Sequence, residues 1–500
     1  MTRVADANKI WSFDPRTGEA VGTPVDATPA EDVSAAGSAA SAAAPIWART
    51  SREVRARTLV AVADALDAAS AELVELAVLE TGLSPERLRG EVARTSGQLR
   101  LFADVACDGG YVDAMITAAD PGASVPDVRR MLRPIGPVAV FSASNFPFAF
   151  SVAGGDTASA LAAGCSVIVK GHEGHPQTSR RTAELVSAAL AESGAPAGVF
   201  TLVQGREAGR ELVLNPDVRA VGFTGSTAGG RTLFDLTSGR PDPIPFYGEL
   251  GSVNPVVVLP QAAATKTAAI AEGYVASLTL GAGQFCTNPG LLFIPEGTDL
   301  LASISIALGA TVAGPMLTER IFNGFRASTA TSNWTQLPLL ARGSANGAWA
   351  VQPEVRHATL AQFAEDTDTL AEERFGPAGL VVSYGNLDEL LPVLRKLPGS
   401  LTASIHAADT EVADARPLTD ALEPLVGRLI MNGWPTGVAV CWAMHHGGPW
   451  PASTAAQHTS VGATAIRRWL TPVVYQDWPE ALLPAELRDD NPLNISQSRH

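Results

Sequence analysis

The chain has 500 residues, more than a single hydrophobic core holds, so two or three domains are expected. Hydrophobic residues make up 46% and charged residues 17%, which excludes a disordered or fibrous chain. With 51 acidic against 36 basic side chains the net charge is −15, which argues against nucleic acid or an anionic membrane as a partner.

Met1 to Ile10 contains Asp6 and no apolar run, so no signal peptide is expected. The Ala-rich stretch from Ala35 to Pro45 reads as a loop leading into a helix. From residue 51, Val60, Val62, Leu66, Leu73, Leu76 and Leu79 recur at helical spacing until Gly82 ends the pattern as a C-cap would. Pro134 to Gly155 carries no charge, but its prolines, serines and Asn145 predict a buried strand, loop and helix in place of a membrane span. The strand is Val138–Phe141, the turn is Ser144–Pro147, and a helix runs to Ala163. Ser166–Val169 predicts a second strand ending in Lys170. A helix over Pro176–Ser193 and a strand over Val218–Phe223 follow, the strand running into Thr224-Gly225-Ser226. Asn254–Leu259 and Gly290–Ile294 read as further strands. Strands alternating with helices imply parallel α/β layers whose ligands lie beyond the strand C-termini, where Asn145, Lys170 and Gly225 all fall.

Four cysteines, at 107, 165, 286 and 441, form no CxxC pair and no metal-ligand spacing with histidine. They read as free thiols of a reducing, cytoplasmic compartment, with no metal site. Cys286 stands apart, in Gly281-Ala-Gly-Gln-Phe-Cys-Thr-Asn-Pro-Gly290. An inert buried cysteine sits among apolar side chains, whereas small and polar flanks suit a reactive thiolate. Upstream, Gly248-Glu249-Leu-Gly251 offers a carboxylate as base. Only four of the basic residues are lysines, which marks Lys170 out.

These motifs resemble the aldehyde dehydrogenase superfamily, in its order and spacing, from about residue 35 to about residue 475. The stretches that carry the resemblance are Phe141-Ser-Ala-Ser-Asn145-Phe-Pro-Phe, Val169-Lys170, Gly222-Phe-Thr-Gly225-Ser226, Glu249-Leu-Gly, Phe285-Cys286 and Glu373-Arg-Phe-Gly-Pro377. Ala149–Asp156 and Gln284–Gly290 are most similar to the α-ketoglutarate semialdehyde (2,5-dioxovalerate) dehydrogenases and to NADP-linked long-chain aldehyde dehydrogenases. The resemblance implies a Rossmann-type cofactor domain (1–116 and 136–250), an α/β catalytic domain (251–469) and a small β bridging segment (117–135 and 470–500). It also implies a homodimer or homotetramer.

It implies site residues as well. Cys286 is the nucleophile, Glu249 the base that activates the hydrolytic water, and Asn145 an oxyanion donor. Lys170 and Glu173 meet the adenosine ribose, Gly225 and Ser226 the pyrophosphate, and Glu373 with Phe375 the nicotinamide ribose. A carboxylate at Glu173 accepts ribose hydroxyls and repels the 2′-phosphate, so NAD is expected ahead of NADP, which stays possible. His446 either tunes the Cys286 thiolate or is a packed histidine. Phe148, Phe246, Trp442 and Trp450 are candidate walls of an apolar substrate tunnel, or ordinary core.

One departure concerns the substrate. Keto-acid semialdehyde relatives often carry an arginine before Thr-Ser-Val-Gly, where this chain reads Ala456-Gln457-His458-Thr459-Ser460-Val461-Gly462. A less charged aldehyde is then expected beside a semialdehyde such as 2,5-dioxopentanoate. Acyl transfer to coenzyme A and a cysteine hydrolase stay open as alternatives. The former generally lacks the base, and the latter would need a His–Asn/Asp set that no motif identifies.

Overall fold

A computed structural model describes residues 8–500, so the expectation for the segment from Met1 falls largely outside it. A hairpin of β1 (Lys9–Asp14) and β2 (Glu19–Asp26) precedes the helices α1 (Ala30–Arg49), α2 (Arg52–Ala68), α3 (Ser70–Thr81) and α4 (Pro85–Asp108). The Ala35–Pro45 stretch is therefore helix, not loop. Alanine has the highest helix propensity, and Ala36, Ala40 and Ala43 are small enough to let α1 lie close against its neighbours. The periodic segment from residue 51 is two helices that meet at Ala69. Leu59, Val62, Leu66 and Leu73 are buried while Val60 and Leu79 face solvent, and Gly82 ends α3 at φ 66°.

After β3 (Ala114–Thr117) and β4 (Val128–Pro134) comes the first large sheet. Its strands are β5 (Val138–Phe141), β6 (Val167–Gly171), β7 (Phe200–Gln204), β8 (Ala220–Thr224) and β9 (Phe246–Glu249). They are all parallel, in the spatial order β7-β6-β5-β8-β9. Helices α5 (Gly155–Ala163), α6 (Pro176–Glu192), α7 (Arg206–Leu214) and α8 (Thr227–Ser238) make the crossovers. β5 and β6 are buried at every position, as a parallel sheet covered on both faces requires. The strand order reverses between β5 and β8, which opens a crevice at their C-terminal ends.

The second sheet takes β10 (Val256–Val258), β11 (Leu291–Pro295), β13 (Leu339–Arg342), β15 (Glu354–Thr359), β16 (Ala378–Tyr384), β17 (Ser400–His406) and β18 (Val426–Met431). Their order is β13-β15-β16-β11-β10-β17-β18, and only β13 runs antiparallel to its neighbour. The two-residue strands β12 (Val312–Ala313) and β14 (Ser344–Ala345) pair separately. A third sheet joins β19 (Leu470–Gln476) and β20 (Gln497–Arg499) to β3 and β4, in the order β19-β4-β3-β20.

Residues 463–469, placed with the second half by the sequence, pack into the first. Ala465, Ile466 and Trp469 are buried in its core, Trp469 Nε1 donates to Ser159 Oγ at 2.8 Å, and Arg468 pairs with Asp156 at 2.5 Å. The chain thus crosses back over the crevice after β18. Among the described residues no helix is long and apolar enough to cross a membrane.

Candidate active site

Helices α9 (Pro260–Thr265) and α10 (Thr267–Thr279) lead from the second sheet to the Cys286 loop. Gly281, Ala282 and Gly283 all take left-handed backbone angles, with φ 57°, 54° and 69°. A Cβ on Gly283 would lie 2.2 Å from the Gly376 carbonyl carbon, so only glycine allows this approach. The far side of the loop is held by Asn254, whose Nδ2 donates to the carbonyls of Cys286 at 2.8 Å and Asn288 at 2.9 Å. Asn288 Nδ2 donates to the carbonyls of Leu278 and Gly283, both at 2.9 Å, and Gln284 Oε1 accepts from the Leu317 N–H. The thiol sits on a braced loop.

Glu249 reaches the same point from the end of β9. The ligating atoms of Cys286, Glu249 and His446 lie within 4.8 Å of one another. His446 Nε2 is 3.5 Å from Cys286 Sγ and 3.2 Å from Glu249 Oε1, and Ser460 Oγ donates to Glu249 Oε2 at 2.8 Å. Burial pushes the Glu249 carboxyl up, but the His446 charge and the hydrogen bonds from His446, Ser460 and Cys286 outweigh it and hold the group below its usual range. Burial also raises the Cys286 thiol well above its ordinary value, and the Glu249 charge adds to that. A thiol so placed needs an adjacent acceptor for its proton, and His446 Nε2 is positioned to be one.

Asn145 follows β5. Its Nδ2 donates to the Gln284 carbonyl at 3.0 Å, which leaves the second amide N–H for another acceptor. Its own carbonyl accepts from Arg87 Nη2 at 2.7 Å, while the Arg87 guanidinium lies over the rings of Phe146 and Phe285. Asn145 and the Cys286 loop are thereby tied to each other.

The other sequence-chosen residues line the crevice of the first sheet. Lys170 closes β6, and its ammonium is ion-paired with Glu173. Burial raises the Glu173 carboxyl, but Lys170 and His172 more than offset this and keep it low. Gly225 and Ser226 form the turn into α8, where Ser226 Oγ caps the helix by accepting from Gly229 N at 3.3 Å. Glu373 comes across from the second half. Its Oε2 lies where a Cβ on Gly251 would be 2.7 Å away, and that same point is 2.7 Å from Thr227 Oγ1 at the start of α8. Burial pushes the Glu373 carboxyl up to about 8; the Ser252 backbone N–H partly offsets this and Glu249 adds to it. Glu373 and Phe375 line a narrow cleft with Ser252, Phe285 and Trp334.

The aromatic residues chosen as tunnel walls do not gather. Phe148 is fully buried in the first core, and Phe246 packs against Phe223 and Phe234 in the first half. Trp442 and Trp450 are exposed. The aromatic side chains that do stand at the site are Phe146, Phe150 and Phe285. Asn254, Gln284 and Ser460 went unnoticed in the sequence. Asn254 has φ 49°, which nothing in its neighbourhood of valines announces.

The aldehyde dehydrogenase family profile matches residues 3–462. The α-ketoglutaric semialdehyde dehydrogenase 2 of Azospirillum brasilense is 46% identical over 99% of this chain and 96% of its own length. The α-ketoglutaric semialdehyde dehydrogenase of Acinetobacter baylyi is 40% identical over 93% of this chain and 90% of its own. Among solved structures, aldehyde dehydrogenase C of Pseudomonas syringae, a mutant complexed with NAD+ and octanal, superposes with a TM-score of 0.80. It is 23% identical and covers 95% of this chain and 94% of its own, a likeness of fold.

Proposed function

The chain belongs to the aldehyde dehydrogenase family and is an NAD(P)-dependent aldehyde dehydrogenase, and we propose that it oxidises α-ketoglutaric semialdehyde to the dicarboxylic acid, with NAD preferred. The similarity to two α-ketoglutaric semialdehyde dehydrogenases over nearly the whole chain carries the choice of substrate. The cluster of Cys286, His446 and Glu249 supports the route.

His446 Nε2 takes the Cys286 proton, and the thiolate adds to the aldehyde carbon. The free amide N–H of Asn145 and the Cys286 backbone N–H stabilise the resulting alkoxide. NAD, when bound, would supply the hydride acceptor that lets the alkoxide collapse to a thioester. Glu249 then takes a proton from water as the water attacks the thioester carbon. The C–S bond breaks, and the acid and the thiolate form. Glu249, held in its carboxylate form beside the thiol, offers a base for water, which favours release to water over transfer to coenzyme A.

The crevice fits a dinucleotide. The α8 N-terminus with Gly225 and Ser226 suits the pyrophosphate, Lys170 and Glu173 the adenosine ribose, and Glu373 the nicotinamide ribose. A partly buried carboxyl with no cation beside it has reason to be there if it meets hydroxyl groups. The same reading assigns 117–135 and 470–500, with their third sheet, to the pairing of subunits. Exposed Val474, Trp478 and Leu482 support that assignment.

The test is NADH formation from α-ketoglutaric semialdehyde without coenzyme A. Formation of the dicarboxylic acid in step with NADH is expected. A strict requirement for coenzyme A, or no activity on this aldehyde, would reject the reading.

A further inference from the structure

The guanidinium that the sequence lacks before Thr459-Ser-Val-Gly462 has a counterpart elsewhere in the fold. Arg94 projects from α4, and its Nη1 donates to the Val438 carbonyl at 2.7 Å. Its Nε and Nη2 are buried and have no hydrogen-bond partner. These two nitrogens form one edge of the guanidinium, the side-on fork that matches two carboxylate oxygens. Val438 therefore fixes the group while leaving its fork open. A buried donor pair left unmatched is costly in a folded protein, and a ligand is the simplest reason to keep one.

Two rings connect the fork to the reacting thiol. The Arg94 guanidinium carbon is 5.6 Å from the centre of the Phe150 ring, that ring is 6.3 Å from the His446 ring, and His446 Nε2 is 3.5 Å from Cys286 Sγ. Phe150 thus forms a short apolar wall between a cation and the nucleophile. Arg428 on β18 approaches the same loop. Its Nη2 donates to the carbonyls of Pro435 and Gly437 at 2.9 and 3.0 Å, and its Nε is also buried without a partner. Gly437 N in turn donates to the hydroxyl of Thr287, next to Cys286, at 3.3 Å. Both guanidiniums are close enough to sense the Cys286 charge. Glu91 and Glu249 are the other charges near Arg94; Glu91 Oε1 is occupied by the N–H groups of Phe148 and Ala149 at 2.8 and 3.1 Å, and its Oε2, though buried and unpartnered, makes no hydrogen bond to Arg94.

We propose that Arg94, with Arg428 in support, binds the carboxylate at the far end of a short aldehyde acid while Cys286 attacks its aldehyde carbon, with Phe150 covering the methylenes between. This rests on the semialdehyde reading above and gives it a physical basis in this chain. It also revises the expectation of a less charged aldehyde, because the specificity cation comes from a helix in the first half.

The experiment compares kcat/KM for α-ketoglutaric semialdehyde with that for pentanal, an uncharged aldehyde of the same chain length, in the wild type, Arg94→Met and Arg94→Lys. The wild type is expected to favour the anionic aldehyde. In Arg94→Met that preference falls about thirtyfold or more, mainly through KM, as expected when a charged double hydrogen bond is lost. Arg94→Lys keeps the charge and the stem but not the fork, so it loses part of the preference, and it serves if the methionine variant does not fold. The ratio of the two substrates cancels any general loss from disturbing the Val438 contact. A wild type that prefers the anionic aldehyde, with the preference retained in both variants, overturns the assignment to Arg94. A wild type indifferent to the carboxylate overturns the semialdehyde reading itself.

Discussion

His446 and Glu249 face each other across 3.2 Å, and the imidazole nitrogen that meets the carboxylate is the same one that lies 3.5 Å from Cys286 Sγ. One ring atom therefore meets both the proposed nucleophile and the proposed base. With its proton on Nδ1, which has no partner of its own, Nε2 is free to accept from the thiol, and once protonated there it forms an ion pair with Glu249 Oε1. His446→Gln keeps a hydrogen-bonding side chain but removes the base that takes the thiol proton, while burial and Glu249 still hold the thiol pKa high. Alkylation of Cys286 by iodoacetamide near neutral pH should slow by about 100-fold, the usual scale for losing a positioned base, and the pH–rate profile should move to higher pH. An unaltered alkylation profile would leave His446 as a packing residue.

In the proposed reading, cofactor choice turns on the Lys170–Glu173 pair. A 2′-phosphate would have to compete with Glu173 for Lys170 and would feel the carboxylate directly. At about 4 Å the repulsion is roughly 4 kcal/mol for an effective dielectric of about 20, before screening. Even a third of that is about tenfold in affinity. Glu173→Thr should therefore shift the ratio of kcat/KM for NAD to that for NADP toward NADP by about tenfold. A wild type that already prefers NADP would contradict the argument.

Glu373 makes a prediction about stability. Burial raises its pKa from 4.5 to about 8, so the folded protein holds this proton more tightly than the unfolded chain. Its contribution to stability is complete below about pH 4.5 and is lost as the pH rises through about 8. Glu373→Gln cannot lose a proton. The thermal midpoint of the cofactor-free variant should gain on the wild type as the pH is raised across that window. A difference between the two proteins that stays constant with pH would show that the carboxyl is solvated.

Much of this site was legible because its chemistry sits in local frames. Gly-rich and Pro-containing turns at strand ends announced Asn145, Gly225, Glu249 and Cys286, and the strands themselves are short apolar runs with clear limits. What the sequence hid depends on long-range assembly. Ser460 comes from the crossing segment after β18, as does His446, which the sequence offers as a partner for the Cys286 thiolate but not as a neighbour of Glu249. Arg94 sits in a helix rich in arginine, where a solvated face is the ordinary reading, and only the fold shows two of its nitrogens buried. Phe148 and Phe246 were chosen as tunnel walls because they are aromatic, and the core claimed them for the same reason. The helix through Ala35–Pro45 was missed because low complexity and a proline masked its helix-forming alanines.

The central claim is that Cys286 carries the acyl group and Glu249 releases it. Glu249→Gln mixed with NAD and α-ketoglutaric semialdehyde, quenched in acid and digested, should show the acyl mass on the Cys286 peptide. About one NADH per chain should form in the burst, followed by turnover lowered by about 10²–10⁴-fold. An acylated variant with no second modified residue is the predicted result. Steady turnover without any adduct on Cys286 would contradict the account.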